Sequence, residues 1–256
     1  MYGMIDFEGK TALITGAARG IGKELARAFA QTNCNLILCD LEVNHELLSK
    51  TVYEIKDNYH VNCVCYDMDI REVDNIENIA LSIENSGQIV DILINNAGTN
   101  SYLSPFEIKE EEWNRVVDTN LKGTFFVTKI FAEHFLIKQK GCIVSIASQH
   151  GVVANFDRVH YCSSKAGIIQ MMKAFALEWS KFNVRVNAIS PTYVETIDNK
   201  ELLYHASFKK DALKKIPLKR YATSQDIANA AIFLASPMAD MITGHNLIVD
   251  GGYTIC

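Results

Sequence analysis

The chain has 256 residues and a formal net charge of −5, with 48% hydrophobic and 21% charged residues. This length fits one α/β domain with a large core, or two small domains, and the composition is typical of a globular protein. No basic block or stripe is present, so we expect no nucleic-acid partner. No apolar run approaches the roughly 20 residues that span a bilayer and no signal-peptide pattern is visible, so we expect no membrane association.

The seven cysteines lie mostly within apolar runs. Their odd number and the absence of disulfide-like spacing are typical of a reducing compartment, so we expect a cytoplasmic protein. Cys63 and Cys65 would point to opposite faces of a strand, and the seven histidines are scattered without ligand spacing. We therefore predict no metal site.

The first predicted elements are a strand, a glycine-rich turn and a helix. The apolar segment 10–14 (KTALI) predicts the strand, and TGAARGIG, residues 15–22, is followed by helical spacing. Gly16 permits a tight turn, Gly20 lets the backbone approach a pyrophosphate, and Gly22 lets helix and strand pack closely. The helix N-terminus would present N–H groups and its positive dipole end to phosphates. The segment therefore predicts a dinucleotide site.

An acidic residue ends the second predicted strand, NLILCD, at Asp40. A carboxylate about 20 residues past the glycine turn can accept hydrogen bonds from an adenosine ribose, and it would repel a 2′-phosphate. Arg19, inside the turn, points the other way, because a guanidinium can bind that phosphate. The alternative for Arg19 is a solvated surface side chain. Asp40 carries more weight, so we predict NAD rather than NADP.

Two further strands are predicted at 61–70 and 90–98, each ending in polar or small residues. Asp67 and Asp69 end the third strand, where an acid can accept a hydrogen bond from an adenine amino group. Alternatively, an acid there caps the helix that follows. The fourth strand closes in NNAG, residues 95–98, whose small residues and amides would let the backbone pass close to the cofactor.

The segment from 148 to 165 carries the residues with catalytic chemistry. Tyr161 and Lys165 are four apart and precede helical spacing, so on a helix they would share a face about one turn apart. An ammonium beside a phenol lowers the phenol's pKa, which lets a tyrosine exchange a proton with an alcohol or ketone near neutral pH. Ser148 follows a predicted buried strand and could hydrogen-bond the substrate oxygen. This spacing is common, and a serine at a strand end often only forms a turn.

Together these motifs resemble the short-chain dehydrogenase/reductase family. TGAARGIG, NNAG, Asn120 in DTNLKGTF, Ser148 and YCSSK at 161–165 follow the family's order from about Phe7 to Tyr253. The resemblance implies a single α/β doubly wound (Rossmann) domain over 1–256, with a seven-stranded parallel sheet in the order 3-2-1-4-5-6-7 and helices on both faces. It also implies an NAD(P)-dependent oxidoreductase that acts on CH–OH groups.

The resemblance further implies roles for individual residues. Tyr161 would be the acid/base, and Lys165 would lower its pKa and bind the nicotinamide ribose. Ser148 would orient the substrate oxygen, and Asn120 would position a water in a proton relay, unless it serves only helix packing. The predicted cofactor contacts are Gly16, Arg19, Gly20, Ile21, Gly22, Asp40, Asp69, Ile70, Asn96, Ala97, Gly98, Tyr161, Lys165, Pro191, Val194 and Thr196.

The loop after the sixth predicted strand departs from the family pattern. The family usually has Pro-Gly where this chain has Pro191-Thr192, which removes a flexible residue beside the nicotinamide. Val194 and Thr196, expected beside the carboxamide, are retained. SPT at this point and the ending ITGHNLIVDGGYT resemble the D-arabitol and related polyol dehydrogenases. We therefore predict a sugar alcohol or a related sugar derivative as the substrate.

A long insert at about 192–217 precedes a helix starting near Ser224 and is predicted to be a substrate lid. Polar residues between Ser148 and Tyr161 would suit a hydroxyl-rich substrate, although a solvated loop is the alternative. These residues are Gln149, His150, Asn155, Arg158 and His160. The predicted substrate contacts are Ser148, Gln149, Asn155, Tyr161 and Tyr193.

Two other functions stay open. The first is an NADPH-dependent 3-oxoacyl (acyl-carrier-protein) reductase, which GAARGIG with Arg19 resembles and which Asp40 and the acidic net charge oppose. The second is a dinucleotide-binding regulator without turnover, which the presence of Ser148, Tyr161 and Lys165 opposes.

The resemblance also implies a homotetramer, with one interface formed by long helices near 110–139 and 156–182. The apolar residues Phe125, Phe126, Met171 and Phe175 support this interface, unless they face the sheet.

Overall fold

The computed structural model describes residues 5–255, apart from the side chain of Leu136, and a seven-stranded parallel sheet lies at its centre. The strands are β1 Thr11–Thr15, β2 Asn35–Asp40, β3 Cys63–Asp67, β4 Ile92–Asn95, β5 Gly141–Ile146, β6 Val184–Pro191, β7 Val194–Glu195, β8 Ala222–Thr223 and β9 Asn246–Val249. The sheet order is β3-β2-β1-β4-β5-β6-β9, and β7 pairs separately with β8. The predicted order is therefore confirmed, with β9 as the seventh strand of the sheet.

The helices are α1 Gly20–Ala30, α2 His45–Asn58, α3 Val73–Asn85, α4 Glu110–Val117, α5 Thr124–Lys138, α6 Val159–Trp179, α7 Lys200–Tyr204, α8 Ala206–Lys215 and α9 Ser224–Ala235. The helix expected near 110–139 is interrupted by a π-helical segment, Asp118–Gly123, between α4 and α5. The insert at 192–217 contains α7 and α8. Within residues 5–255, no helix is both long and apolar enough to cross a bilayer.

Successive side chains of the central strands supply two separate apolar layers. In β1, Ala12 and Ile14 pack into the layer that contains α1, α2 and α9. Leu13, between them, packs into the layer that contains α3, α5 and α6. All three are fully buried. This alternation explains why the strands read as continuous apolar runs, since both faces of a parallel sheet are covered by helices.

The parallel pairing also determines where functional groups can meet. The carboxyl ends of β1, β2, β4, β5 and β6 all lie at the same edge of the sheet. At this edge the strand order reverses between β1 and β4, which is the usual place for a crevice in an open α/β sheet. The glycine turn, Asp40, NNAG, Ser148 and Pro191-Thr192 each lie at one of these strand ends, whereas Asn120 and YCSSK lie on helices.

Candidate active site

The glycine turn between β1 and α1 admits only glycine at the positions that shape it. Gly16 and Gly20 have φ of +65° and +57°, where a side chain would be strained. A Cβ on Gly22 would lie 2.0 Å from the carbonyl oxygen of Gly16. The N-terminus of α1 is therefore drawn tightly against the end of β1, leaving a cradle of the kind that binds a pyrophosphate.

The NNAG segment fixes this turn from the neighbouring strand. The Asn96 amide Nδ2 donates to the carbonyl oxygens of Thr15 at 3.0 Å and of Gly16 at 2.9 Å. In return, the backbone N–H groups of Asn96 and Ala97 donate to the Thr15 hydroxyl at 3.1 and 3.0 Å. Thr15 was not singled out from the sequence, although it is the first letter of the glycine motif.

Asp40 lies beside the glycine turn with its carboxylate held from three sides. It is 9% exposed. Its oxygens accept from the Ala18 N–H at 2.9 Å, the Leu41 N–H at 2.9 Å and the Asn44 amide at 2.7 Å. A carboxylate has about four acceptor positions, so one is left for a ligand hydroxyl. The geometry fits a nucleoside ribose.

A groove of about 420 Å³ continues past Asp40 and is lined by residues including Leu41, Val43 and Asp69. Arg71 pairs with the Asp69 carboxylate and thereby holds the pKa of Asp69 below its usual value. The alternative that Asp67 or Asp69 caps the next helix is wrong, because the N-cap of α3 is Glu72. Asp67 instead bonds His45, 2.9 Å away.

Ile70 is buried against the π-helical segment. A Cβ on Gly123 would lie 2.7 Å from the Ile70 carbonyl oxygen. The segment between the end of β3 and the start of α3 therefore packs closely on the helical segment that carries Asn120.

Arg19 reaches out of the glycine turn and contacts the insert. Its Nε lies 3.2 Å from the Asp198 Oδ2, and its Nη1 lies 3.3 Å from the Asp198 Oδ1. Thr196 is also close, since a Cβ on Gly20 would lie 3.4 Å from its methyl carbon. Arg19 is nevertheless an exposed side chain, so the alternative of a solvated surface residue stays open. Asp198 was not singled out from the sequence, because nothing in the insert's composition shows which residue meets the turn.

A second cavity, of about 450 Å³, opens where β5, β6 and α6 meet and contains Ser148, Tyr161 and Lys165 in its wall. Ser148 follows β5, and its hydroxyl accepts from the His150 N–H at 3.1 Å. Tyr161 and Lys165 lie in the first two turns of α6, as their spacing predicted. Three of the four predicted catalytic residues therefore line one cavity.

Lys165 is 5% exposed, and burial lowers its pKa to about 8. Its Nζ donates to the Ile146 carbonyl oxygen at 2.8 Å and lies 5.8 Å from the centre of the Tyr161 ring. Burial raises the pKa of Tyr161, and the Ser148 hydroxyl and the Arg158 charge oppose that rise. In the ligand-free protein, burial therefore outweighs the groups that favour the phenolate, and the lowering of the Tyr161 pKa by Lys165 stays a prediction.

Asn120 is fully buried in the π-helical segment behind this cavity. Its Oδ1 accepts from the Thr99 N–H at 2.8 Å, and its Nδ2 donates to the Thr99 carbonyl oxygen at 2.9 Å and to Ser164 Oγ at 3.0 Å. The side-chain amide is therefore committed to the protein itself. It does not line the cavity, and its role in a proton relay stays a prediction.

The predicted substrate contacts divide in two. Gln149 and Tyr193 line the cavity, whereas Asn155 stands behind it and donates to the Tyr193 hydroxyl at 3.3 Å. His160 is also behind the wall, with its Nε2 2.6 Å from the Ser101 hydroxyl. Tyr102, which lines the cavity from the loop after β4, was missed because that loop carries no recognisable motif.

Thr192 occupies its position beside the cavity without backbone strain. Its φ is not positive, and its N–H donates to the Val249 carbonyl oxygen at 3.1 Å. The replacement of the family's usual glycine is therefore accommodated without a left-handed backbone conformation.

The cavity wall contains buried polar atoms that lack partners. Gln149 Oε1, Thr192 Oγ1 and two nitrogens of Arg158 have no hydrogen-bond partner within residues 5–255. Buried polar groups are normally satisfied, so these atoms need partners from outside the described residues, such as water or a ligand. Burial also lowers the pKa of His150, in the same wall, to about 4, so its imidazole is neutral at pH 7.

Among residues 5–255, no cluster of His, Cys, Asp or Glu could hold a metal ion.

Comparisons with known proteins agree with this geometry. The family described as enoyl-(acyl carrier protein) reductase matches residues 16–254. The chain is 36% identical to an NAD-dependent glycerol dehydrogenase of Listeria innocua over 96% of this chain and 94% of the relative. It is 37% identical to a D-threitol dehydrogenase of Mycolicibacterium smegmatis, over 98% and 96%. It is 35% identical to a 3-oxoacyl-[acyl-carrier-protein] reductase of Thermotoga maritima, over 97% and 99%.

Solved structures give the same result. A putative short-chain alcohol dehydrogenase from Sinorhizobium meliloti superimposes with a TM-score of 0.92 at 34% identity, covering 98% of both chains. A gluconate 5-dehydrogenase from Burkholderia cenocepacia, in complex with NADP and tartrate, also gives 0.92, at 28% identity and 98% and 97% coverage. The chain therefore belongs to the short-chain dehydrogenase/reductases. It is an NAD(P)-dependent oxidoreductase that acts on CH–OH groups.

Replacing Lys165 tests the cost of its buried charge. We expect Lys165→Met to raise the free energy of unfolding of the ligand-free protein by about 1–3 kcal/mol at pH 7, because a depressed lysine pKa means that folding buries a charge unfavourably. The wild type regains this stability as pH rises from the folded pKa of about 8 toward the unfolded value near 10.5. The advantage of the variant should therefore shrink by pH 10. Urea unfolding at pH 7 and at pH 10 measures the difference in the free energy of unfolding between the variant and the wild type.

Lys173→Met is the matched control, since Lys173 is an exposed residue of the same helix. A Lys165→Met variant that is less stable than this control at pH 7 would contradict the expectation.

Proposed function

We propose that this protein is an NAD-preferring dehydrogenase that transfers hydride between nicotinamide and a secondary alcohol or ketone of a sugar alcohol or sugar derivative. The unpartnered polar atoms around Ser148 and Tyr161 carry this proposal, because a substrate bearing several hydroxyl groups supplies the missing partners. The glycerol and threitol dehydrogenases among the relatives act on small polyols by their names.

The glycine turn and Asp40 would hold the cofactor, which accepts or supplies the hydride when it is bound. Ser148 would hold the reacting oxygen. Tyr161 would take the hydroxyl proton in oxidation and return it in reduction. Because burial raises its pKa, Tyr161 is protonated at neutral pH in the ligand-free protein. It is therefore prepared to donate to a ketone, and alcohol oxidation should accelerate as pH rises.

The preference for NAD rests on two contacts. Asp40 is a fixed carboxylate where a 2′-phosphate would lie, and no described partner of Asp40 is a cation that would neutralise it. Arg19, the group expected to favour NADP, is paired with Asp198. Among the solved neighbours, the gluconate 5-dehydrogenase from Burkholderia cenocepacia is in complex with NADP.

The 3-oxoacyl reductase of Thermotoga maritima makes acyl reduction the second candidate. Arg19 is the observation that favours it. The polar wall around Gln149 and Thr192 opposes it, because an acyl chain would leave those atoms without partners.

We also propose that residues 192–217 act as a substrate lid. This insert contributes Leu203, Ala212 and Ile216 to a small apolar cluster that also contains Tyr221 and Tyr253 from outside it. Its contacts with the glycine turn, through Thr196 and Asp198, are few and exposed, so they can open and close with little loss of buried surface.

A homotetramer is proposed on an aromatic surface of α5 and α6. The Phe125 ring stacks on Phe175 with centroids 5.8 Å apart, and Phe175 stacks on Trp179 at 4.4 Å. Phe125 is 37% exposed. A stacked aromatic run that remains open to solvent is typical of a surface that another subunit covers.

Substituting Tyr161→Phe should reduce turnover of any polyol by at least ~1,000-fold while leaving the NADH dissociation constant within about threefold, because only the proton-transferring hydroxyl is lost. Steady-state assays measure the turnover, and calorimetry measures the NADH dissociation constant. Tyr102→Phe, a hydroxyl removal in the same cavity, is the control. Retained turnover in Tyr161→Phe would exclude Tyr161 as the acid/base.

For the cofactor, we expect NADH to bind at least ~10-fold more tightly than NADPH, a difference of about 1.4 kcal/mol. Asp40→Asn should reduce this ratio by removing the charge at constant shape. Asp198→Asn should raise NADPH affinity by releasing Arg19. Calorimetry on the three proteins measures both cofactors. Tighter NADPH binding by the wild type would overturn the assignment to Asp40 and favour the acyl-reductase alternative.

For assembly, sedimentation velocity should show a tetramer that Phe125→Lys converts to smaller species, because a lysine would bury an unpaired charge in the interface. Tyr53→Lys, an equally drastic change on the exposed surface of α2, should leave the tetramer intact. A monomeric wild type would show that the aromatic surface has another purpose.

A further inference from the structure

Arg158 is a buried cation in the wall of the active-site cavity. It is 3% exposed and immediately precedes α6, three residues before Tyr161. Burial lowers its pKa, which the neighbouring Tyr193 and Tyr161 hydroxyls oppose only in part. A guanidinium remains charged in proteins nonetheless.

The described residues supply no counter-charge to this guanidinium. No carboxylate lies within ion-pair distance of Arg158 among residues 5–255, and its Nε and Nη2 have no hydrogen-bond partner there. A buried charge without a partner is strongly unfavourable, so a protein keeps one where a ligand supplies the opposite charge.

Aromatic rings hold the plane of the guanidinium and leave its Nε and Nη2 without partners. Its Cζ lies 3.7 Å from the centre of the Tyr102 ring and 5.9 Å from that of Tyr193. Stacking occupies the face of the group. Nε and Nη2 lie side by side on one edge, and this is the pair of N–H groups that a carboxylate accepts in parallel.

We propose that Arg158 binds a carboxylate of the substrate, so that the enzyme acts on a hydroxy acid or oxo acid of the sugar series rather than on a neutral polyol. This rests on the proposed function, whose chemistry it leaves unchanged. The alcohol carbon loses a hydride to NAD⁺, the alcohol oxygen loses its proton to Tyr161, and the carboxylate is only held.

The positions of Arg158 and Tyr161 agree with such a substrate. Residues three apart at the start of a helix are neighbours, and the Arg158 charge acts on the Tyr161 pKa. A short acid could therefore reach both groups from one cavity. A phosphate is less suitable, because Lys165, the other cation in the wall, donates to Ile146 instead.

The wild-type enzyme gives the first test, with NAD⁺ and matched substrate pairs: D-gluconate against D-glucitol, and D-threonate against D-threitol. We expect kcat/KM to be at least ~10-fold higher for the acid of a pair, because the charged hydrogen bonds form only with the acid. D-Gluconate, but not D-glucitol, should also raise the thermal midpoint of the complex with NADH.

Variants then assign the effect to Arg158. Arg158→Gln should reduce the acid-to-alcohol ratio of kcat/KM at least ~10-fold, mainly through KM, and Arg158→Lys should restore part of it, since lysine keeps the charge without the fork. Arg27→Gln, which removes the same charge from a half-buried position of α1 outside the cavity wall, should leave the ratio unchanged. If the Gln variant does not fold, the wild-type pairs still decide.

The outcomes separate the two proposals. Oxidation of the polyols with no preference for the acids would overturn the carboxylate site and leave the proposed function standing. Preference for glycerol 3-phosphate over D-threonate would mean that the anion is a phosphate and would overturn the carboxylate. Oxidation of neither class, with NADH bound, would overturn the proposed function itself.

Discussion

The close approach of α1 to the end of β1 is the constraint on which the site depends. A Cβ on Gly22 would lie 2.0 Å from the Gly16 carbonyl oxygen, so helix and strand meet only because the residue is glycine. This contact sets the direction in which the N–H groups of α1 point. It also brings the turn within reach of Asn96, whose amide bonds the Gly16 carbonyl oxygen from β4.

From that turn outward, the site is assembled from strand ends and from one long insert. Asp40 reaches the turn from β2 through the Ala18 N–H, and Asp198 reaches it from the insert through Arg19. The cleft beside the glycine turn is thus bounded by two carboxylates, Asp40 and Asp198, that differ in burial and in their partners. One is buried and fixed by three hydrogen bonds, and the other is half-exposed and paired with an arginine. Only the first has the rigidity expected of a selector for the ribose.

The charged groups in the wall of the second cavity differ from these two carboxylates, because they are cations and one of them has no counter-ion. Its wall contains one lysine whose charge burial disfavours, one neutral histidine and one arginine without a counter-ion. Such an arrangement is costly in the free protein, and an oxygen-rich ligand would offset that cost, as the proposed function requires. Burial also raises the pKa of Tyr161, so the proposed proton transfer would depend on pH.

Local spacing in the sequence predicted the glycine turn and the shared helix face of Tyr161 and Lys165. The sheet order and the meeting of Ser148 with these two residues were expected from the family resemblance. Tertiary structure alone decided which side chains face the cavity. Asn155 and His160 lie in the same polar stretch as Arg158, yet they bond Tyr193 and Ser101 behind the wall. It also decided that Arg19 pairs with Asp198, 179 positions away in the chain. Spacing predicts neighbours within one element, whereas a charge's partner and a pKa depend on packing between elements distant in sequence.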